Sequence, residues 1–344
     1  MVKKEMDDYK QKGTVWLREY KNEIAITVLI IVILILFPML SPFFLSGSNL
    51  LNLLRQTAYT AIAAIGMYFV ILIGGIDLSI GATIQIIGMV SITMLINGVP
   101  VWLTILTVLG IGVAVGLVNG LFVTYGRLQP FVVTLVTKQI MQGIVLCVTG
   151  GASVSGTVPE SFMRIGTGYI WIFPVPVVVL FLISVASIFA MSRTTYGRRL
   201  RVTGSNQVAA YNSGVNVRMV KLSAYVLCAV FATISGLLSV ARTGAFQPTT
   251  THGGATGMEL DAIAAVVVGG AALTGSKGTV AGTLLGALLY GILSNLFPLI
   301  GISSYMQQLI QGLIILVAVL ISVKGSIGVK PKLRRNRSSY EYHT

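Results

Sequence analysis

The side chains that could do chemistry in this sequence are few, and they lie between or within long apolar runs. Asp77 stands between two such runs, Lys138 lies near the middle of another, and Glu259 and Asp261 open a fourth. A charge deep in lipid is costly, so it should face protein or water and have a partner. We therefore predict that Lys138 faces a translocation pathway or pairs with one of these acids.

Each acid has two interpretations. Asp77 is either the N-cap of the helix that follows it, or it fixes a pathway-lining loop that residues 74–75 (Gly-Gly) break. Glu259 and Asp261 either stabilise the positive end of a helix dipole, or accept hydrogen bonds from substrate hydroxyls or from a docking protein. Amides in the apolar runs could meet substrate in the same way, or bond between helices. The predicted pathway residues are Asp77, Asn119, Lys138, Gln139, Gln142, Glu259, Asp261 and Asn295.

The sequence shows no arrangement typical of an enzyme or a metal site. His252 has no second His, Cys or carboxylate at metal-ligand spacing, and we expect it to be an exposed loop residue. The segment GSKGT (275–279) lacks the spacing of a phosphate-binding loop. We expect Cys147 and Cys228 to be buried small side chains without a disulfide. We predict no catalytic residue, metal or cofactor in this chain.

The composition determines which solvent surrounds these residues. Of 344 residues 55% are apolar and only 10% are charged, whereas soluble domains carry about 25% charged residues. Between Glu23 and Glu341 there are only four carboxylates. A water-soluble protein could not cover its surface with so few charges, so the dominant solvent must be lipid.

The apolar runs predict an all-α polytopic membrane protein with about ten transmembrane helices. A helix needs about 20 apolar residues to cross the hydrocarbon, and glycines, prolines and a basic loop separate the runs. The eighth run is short and reads as a half-span. The predicted spans are 24–40, 57–73, 79–97, 101–125, 129–149, 171–191, 222–241, 259–273, 280–297 and 304–323.

The basic residues predict the orientation and the domain limits. With the N-terminus inside and ten crossings, cytoplasmic segments carry 20 of the 24 Lys and Arg, and external segments carry 3. This is the pattern of cytoplasmic retention rather than of nucleic-acid binding, despite the formal charge of +14. We predict a cytoplasmic basic N-terminus (1–23), a transmembrane permease domain (24–323) and a cytoplasmic basic tail (324–344). The domain includes an external loop at 150–170 and a cytoplasmic loop at 192–221.

Two features suggest an inverted repeat of spans 2–5 and 7–10. Broken segments that carry acids precede or open the third and eighth spans, which are five spans apart and so run in opposite directions. Such a pattern points to a transport pathway near the midplane. Glycines spaced by four residues, which allow close helix packing, mark the fourth and ninth runs: Gly112, Gly116 and Gly120, then Gly278, Gly282 and Gly286.

The basic loop has an internal pattern of its own. Gly204 and Gly214 bracket a stretch, Asn206 to Ser213, that is compatible with a short helix. One face of this helix could dock into a groove of a partner. The alternative is a solvated basic loop that only obeys the orientation rule.

Six stretches of the chain resemble the ribose-type monosaccharide permeases of bacterial ATP-binding-cassette importers. Each stretch alone is weak, but their order along nearly the whole chain is specific. They are FLSGSNLLNLLRQ (44–56), GGIDLSIG (74–81), NGLFVTYGRLQPFVVTL (119–135), TTYGRRLRVTGSNQVAAYNSGVNV (194–217), ELDAIAAVVVGGAALTGSKGTVAGTLLGALL (259–289) and SSYMQQLIQGLIILVAV (303–319).

The resemblance implies a multi-pass protein of the bacterial inner membrane that forms a permease dimer with a second copy or a paralogue. It implies two cytoplasmic ATP-binding subunits and an extracytoplasmic solute-binding protein that delivers the sugar. It also implies that 197–216 is the coupling element seated in the ATPase. The matching coupling residues are Gly197, Gly204, Asn206, Ala209, Ala210, Ser213 and Gly214.

The chain departs from that family pattern at four positions. Val208 stands where the family usually has Glu, Val136 and Lys138 where it tends to have Gly and Met, and Ser276 where a Gly is usual. Cargo other than ribose therefore stays open. The alternatives are the same type of complex importing branched-chain amino acids or nucleosides, and an ion-coupled secondary transporter that uses the intramembrane acids.

Overall fold

The structure is a computed structural model that describes residues 21–248 and 257–327. These residues leave out His252, most of the predicted basic N-terminus (1–23) and most of the predicted basic tail (324–344). Thirteen helices make up most of the described chain: α1 Lys21–Leu40, α2 Gly47–Leu72, α3 Ile80–Ile96, α4 Val101–Thr124, α5 Pro130–Thr149, α6 Glu160–Thr167, α7 Val175–Arg193, α8 Thr195–Ser205, α9 Gln207–Asn212, α10 Val217–Thr243, α11 Met258–Val268, α12 Val280–Leu299 and α13 Ser304–Ile327.

Four two-residue strands complete the described secondary structure. β1 (Val154–Ser155) pairs antiparallel with β4 (Ala245–Phe246), and β2 (Tyr169–Ile170) pairs antiparallel with β3 (Phe173–Pro174). The second pair is a hairpin between α6 and α7. The predicted loop at 150–170 therefore contains a short helix and part of two small sheets.

Every predicted span corresponds to a helix, but several ends differ. The second helix begins ten residues earlier than predicted, at Gly47, because Ser46 caps it by accepting a hydrogen bond from the Asn49 amide. The helix of the sixth predicted span, α7, begins at Val175 rather than at 171, because residues 169–174 form the hairpin.

The eighth predicted span corresponds to α11, which is short as predicted. α11 has 11 residues and ends at Val268, so at about 1.5 Å per residue it is too short to cross the hydrocarbon by itself. Six described helices (α1, α4, α5, α7, α10 and α12) are long and apolar enough to cross a membrane. The count of ten crossings stays a prediction.

The molecule buries a central group of helices and leaves apolar side chains on its outside. Most of α2 after Thr57 is buried, together with the facing sides of α10 and α11. By contrast α4, α5 and α7 expose large apolar residues such as Phe122, Ile140 and Phe181. Contiguous exposed apolar surface of this extent marks contact with lipid or with another membrane chain. Cys228 is buried as predicted, whereas Cys147 is exposed because it lies on this outer surface of α5.

The packing of the helices agrees with two repeats, α2–α5 and α10–α13. α2 and α10 pack against each other at the centre. α4 packs on α10 and α12 packs on α2; α3 packs on α10 and α11 packs on α2. Within each repeat the second helix also contacts the third and the fourth. Exchange of the two repeats thus leaves the pattern of contacts unchanged, as a pseudo-two-fold axis requires.

The predicted glycines are not equivalent in the two repeats. Gly112, Gly116 and Gly120 lie against the backbone and side chains of α10. Gly282 and Gly286 instead lie against the backbone of α11 and the Gly269 that follows it, where added Cβ atoms would overlap carbonyl oxygens.

Two further glycines complete this correction. The counterpart of the α4–α10 contact is the α12–α2 contact, at Gly291 against Thr57. Gly278 is not part of a helix stripe at all, because it precedes α12 in the loop with φ +133°. Gly282 and Gly286 of α12 therefore pack against the end of the short α11.

Candidate functional site

The first polar network of the site lies where α2 is broken from α3. The chain leaves α2 through Gly74, whose φ is +76°, and reaches Asp77, which is buried. Oδ1 of Asp77 accepts hydrogen bonds from the Ser79 amide (2.8 Å) and the Ser79 hydroxyl (2.6 Å). Ser79, not Asp77, occupies the N-cap position of α3. The N-cap interpretation of Asp77 is thus wrong by two positions, and the carboxylate holds the turn that leads into the helix.

The network continues through the third and fourth helices of its repeat. Asn119 of α4 donates to the Ser79 hydroxyl (2.9 Å), and Thr137 of α5 donates to Oδ1 of Asn119 (2.7 Å). Asn119 has no solvent exposure. A buried polar network is stabilising only when its members are satisfied, and these bonds fix the break against two neighbouring helices.

A second network in the other repeat has the same construction. Asp261, in the first turn of α11, accepts a short hydrogen bond from the Tyr290 hydroxyl of α12. One turn further along α12, Ser294 accepts a bond from Gln311 of α13 (3.2 Å). Thr137 and Gln311 are each the eighth residue of their helix, α5 and α13. In both repeats a polar residue near the start of the second helix is therefore bonded to the third helix, and the third helix to the fourth.

One ion pair joins the two networks. Nζ of Lys138 lies 2.5 Å from Oε1 of Glu259, so a residue next to Thr137 contacts a residue two positions before Asp261. The Glu259 side chain is 3% exposed and that of Lys138 is 22% exposed. The structure confirms the predicted pairing of Lys138 with an intramembrane acid. Oε2 of Glu259 has no hydrogen-bond partner within residues 21–248 and 257–327.

The other predicted pathway residues are not brought to this pair. Asn295 exchanges two amide hydrogen bonds with Asn49 of α2, of 2.8 and 2.9 Å. It therefore bonds between helices, which was the alternative left open. Gln139 is exposed beside Val136, and Gln142 is half-buried. Because Glu259 is buried, it offers no surface to a docking protein in this conformation.

The segment between α7 and α10 folds as two short helices. Asn206 caps α9 by accepting bonds from the amides of Val208 and Ala209, both at 3.0 Å. Ser213 is the C-cap, and Gly214 follows with φ +79°. These are the limits that the bracketing glycines predicted. Val208 and Tyr211 are exposed, so α9 presents apolar side chains outward.

α8 is fixed to the body of the protein along its length. Leu200 is fully buried, and the Tyr196 hydroxyl lies 3.0 Å from the Ser223 hydroxyl of α10. Burial raises the pKa of Tyr196 above its ordinary value, so the hydroxyl stays protonated as a hydrogen-bond partner. Gly197 lies against the backbone of Met191, where a side chain would not fit.

The end of α8 touches both repeats at one point. A Cβ at Gly204 would overlap the Leu72 carbonyl and lie 2.8 Å from the Ser276 nitrogen. The Ser276 amide itself donates to that carbonyl (2.8 Å), and Gly275 lies against Gly74 and Gly204. Leu72 ends α2 just before the Asp77 break, and 275–276 lie in the loop between α11 and α12. We call this contact of 72–74, 204 and 275–276 the backbone junction.

One of the four departures from the family pattern, Ser276, lies in the junction. Ser276 has φ +69°, in the left-handed region that glycine adopts at little cost. A glycine at this position would therefore be unstrained, and the serine is held there by the contacts of the junction.

Sequence reasoning missed the polar partners of the predicted residues. Ser79, Thr137, Tyr290, Ser294 and Gln311 were not selected, although each is a polar residue in or beside an apolar run. Their spacing gives no sign of which helices face one another. Over the described part of the chain, no group of three or more His, Cys, Asp or Glu residues is placed to hold a metal ion.

Apolar helices and two repeats broken near buried acids are the features expected of a membrane permease. Residues 49–319 match the family described as "Branched-chain amino acid transport system / permease component". The match spans most of the chain, which therefore belongs to this family of transport-system permeases.

Curated relatives agree with this assignment. The chain is 39% identical to the ribose import permease protein RbsC of Haemophilus influenzae over 93% of its own length and 97% of the relative's. It is 39% identical to the RbsC protein of Bacillus subtilis over 86% and 91% of the two lengths. It is 32% identical to the xylose transport system permease protein XylH of Escherichia coli over 80% and 85%. No solved structure gave a significant match.

Proposed function

We propose that this chain is the membrane-spanning subunit through which an ATP-binding-cassette importer of the bacterial inner membrane moves a monosaccharide. The relatives named for ribose and xylose import match over most of both chains, which favours a pentose-type sugar. The family description names branched-chain amino acids, so those solutes are the second candidate cargo.

Energy for transport comes from partner chains in this proposal. The sequence has no phosphate-binding loop, so ATP and Mg²⁺ belong to two cytoplasmic ATP-binding subunits. An extracytoplasmic binding protein delivers the sugar, and a second permease copy or a paralogue completes the dimer. Both chain termini lie in the cytoplasm, as the distribution of Lys and Arg indicates.

The backbone junction is the observation that carries the proposed coupling. α9, with its exposed Val208 and Tyr211, forms the docking surface for the ATPase, and the end of α8 directly before α9 lies in the junction. A displacement of α8 must move the Leu72 carbonyl and the Ser276 loop together, because Gly204 leaves no space between them. Leu72 leads into the Asp77 break of one repeat, and Ser276 leads back to α11 of the other. A push on one short helix thus reaches both broken segments.

Alternating access then follows from a shift of one repeat against the other. The Lys138–Glu259 ion pair holds α5 against α11 in the present arrangement. In the arrangement that admits sugar, the two free N–H groups of Lys138 and the unpartnered oxygen of Glu259 would meet sugar hydroxyls. ATP binding and hydrolysis bias the two arrangements through the junction, since a ligand shifts a conformational equilibrium only by its differential affinity.

Reconstitution with candidate cargo tests this proposal. The permease, its ATP-binding subunits and its binding protein are placed in proteoliposomes, and uptake of labelled ribose, xylose, leucine and a nucleoside is measured with and without ATP. We expect ATP-dependent uptake of a pentose only. The matched control carries a hydrolysis-deficient ATP-binding subunit and should show no uptake.

Two outcomes would contradict the proposal in different ways. ATP-dependent uptake of leucine with no uptake of sugar would assign the amino-acid function. Full uptake by the permease alone, following a proton or sodium gradient, would establish an ion-coupled transporter that uses the intramembrane acids.

A further inference from the structure

The hairpin between α6 and α7 carries an unusual surface. All five residues 169–173 (Tyr-Ile-Trp-Ile-Phe) are exposed, and Trp171 at the tip is 86% exposed. Trp171 has φ +57°, a backbone conformation that a bulky residue rarely adopts. The turn directs the side chains of Trp171 and Ile172 away from the protein rather than into it.

The hairpin lies at a sharp change from polar to apolar surface. On the preceding α6, Phe162 is buried and the exposed side carries the Glu160–Arg164 ion pair. α7 begins immediately after the hairpin, and its large side chains become exposed from Phe181 and Leu182 onward, whereas residues 175–180 are buried or half-buried. The hairpin is therefore a separate apolar surface at the start of α7.

The base of the hairpin is fixed to the bundle. The Arg55 guanidinium of α2 lies 4.9 Å from the centre of the Tyr169 ring and donates to the Thr167 carbonyl (3.2 Å). A cation over an aromatic face is attractive, so the position of the hairpin relative to α2 is set by the protein. Within residues 21–248 and 257–327, the protein leaves the hairpin most exposed at its tip, Trp171.

A second exposed tryptophan marks the same face of the membrane. Trp102 is the second residue of α4 and is 64% exposed. α4, α5 and α7 follow one another and each is long enough to cross, so α4 and α7 begin on the same side. Trp and Tyr concentrate at membrane–water interfaces, where an amphipathic ring sits at the level of the headgroups.

We propose that the 169–173 hairpin inserts its tip into the interfacial region of the adjacent lipid leaflet and anchors the start of α7 there. The occupant of this surface is phospholipid, since the five residues carry no charge and stand at the start of a candidate membrane span, on the same side as the exposed Trp102. The proposal does not depend on the cargo or on the ATPase.

Tryptophan quenching in lipid nanodiscs tests the insertion. The variant W16F/W102F leaves Trp171 as the only tryptophan. We expect a blue-shifted emission, strong quenching by phospholipids brominated at a shallow acyl position, weaker quenching by deep bromines, and protection from aqueous iodide. The matched control adds W171F and Glu160→Trp, which places the reporter on the charged side of α6, and should be quenched by iodide and not by brominated lipid.

Two results would overturn the proposal. In the first, Trp171 emits like a tryptophan in water and is quenched by iodide as strongly as the control. In the second, brominated lipid has no effect and protection from iodide appears only when the solute-binding protein is added, which would make the hairpin a protein-docking surface.

Discussion

The Lys138 amine lies 2.5 Å from Oε1 of Glu259, and this contact joins a helix of one repeat to a helix of the other. Thr137 next to Lys138 belongs to the polar network of the first repeat, and Asp261 near Glu259 belongs to that of the second. The ion pair thus connects two networks that are otherwise built from separate helices. Any movement of one repeat against the other must lengthen or rotate this bond.

Removal of one partner of this pair should be strongly destabilising. In Lys138→Met the Glu259 carboxylate stays buried without a counter-charge, and losing one partner of a buried pair costs about 3 to 5 kcal/mol. We expect a correspondingly lower unfolding midpoint in detergent and loss of sugar uptake. Thermal unfolding and proteoliposome uptake measure the two effects.

Matched variants separate the charge from the packing. The double variant K138M/E259Q should recover most of the stability, because no uncompensated charge remains, but should not recover uptake. Glu160→Gln breaks the exposed Glu160–Arg164 pair and should change stability by less than about 1 kcal/mol. Normal sugar uptake by K138M would show that the pair takes no part in transport.

Gly204→Ala should impair coupling at the backbone junction. The new Cβ would overlap the Leu72 carbonyl, and overpacking of this kind costs about 1 to 3 kcal/mol. The added methyl group would displace the contact between α8 and the two broken segments. We therefore expect ATP hydrolysis to continue while the amount of sugar moved per ATP drops. Parallel assays of phosphate release and uptake give this ratio.

Gly110→Ala is the control for this substitution. Gly110 lies within α4 with no atom within 4 Å of an added Cβ, so alanine should be neutral or stabilise by up to about 1 kcal/mol. A G204A protein with an unchanged ratio of sugar to ATP would exclude the junction as the route of coupling.

Asn119→Ala should disconnect the Asp77 break from α4 and α5. Asn119 donates to Ser79 and accepts from Thr137, and each buried group left unpaired costs about 1 to 3 kcal/mol. We expect lower thermal stability and reduced uptake. The exposed Asn97, whose amide bonds only to the Thr93 carbonyl of its own helix, provides the comparison, and N97A should behave like the parent. Equal stability of N119A and N97A would contradict the proposed role of the network.

Replacement of Asn206 to Ser213 with a Gly/Ser linker of equal length should abolish both transport and stimulation of the ATPase. The cap at Asn206 and the exposed Val208 and Tyr211 would be lost, while the bundle would keep its packing. Insertion should be intact, as an unchanged elution profile in detergent would show. The conservative variant N206D keeps a capping oxygen and should retain coupled uptake. Coupled uptake by the linker variant would refute the assignment of α9.

The sequence predicted elements better than it predicted contacts. Glycines and prolines, which break helices for local steric reasons, gave the approximate positions of the helices and the limits of α9. The pairing of Lys138 also followed from local physics, because a charge in lipid requires a partner. Local physics did not identify Glu259 as the partner, because Asp77 and Asp261 lie equally near to an apolar run.

Two outcomes share one physical cause. Cys147 was expected to be buried and is exposed, and Asn295, for which both a pathway role and a bond between helices were open, bonds Asn49. In each case the residue type was compatible with both outcomes. The direction in which a helix presents that residue decided between them.

The sequence by itself determined that this protein is a helical membrane protein, where its helices break and that its few buried charges must be compensated. These follow from composition and local periodicity, because lipid penalises every unpaired polar group wherever the chain goes. Only the tertiary structure decided that α5 meets α11, that two polar networks are joined by one ion pair, and that Gly204 touches both repeats. Such contacts depend on how helices distant in sequence rotate and pack against one another, which local sequence does not encode.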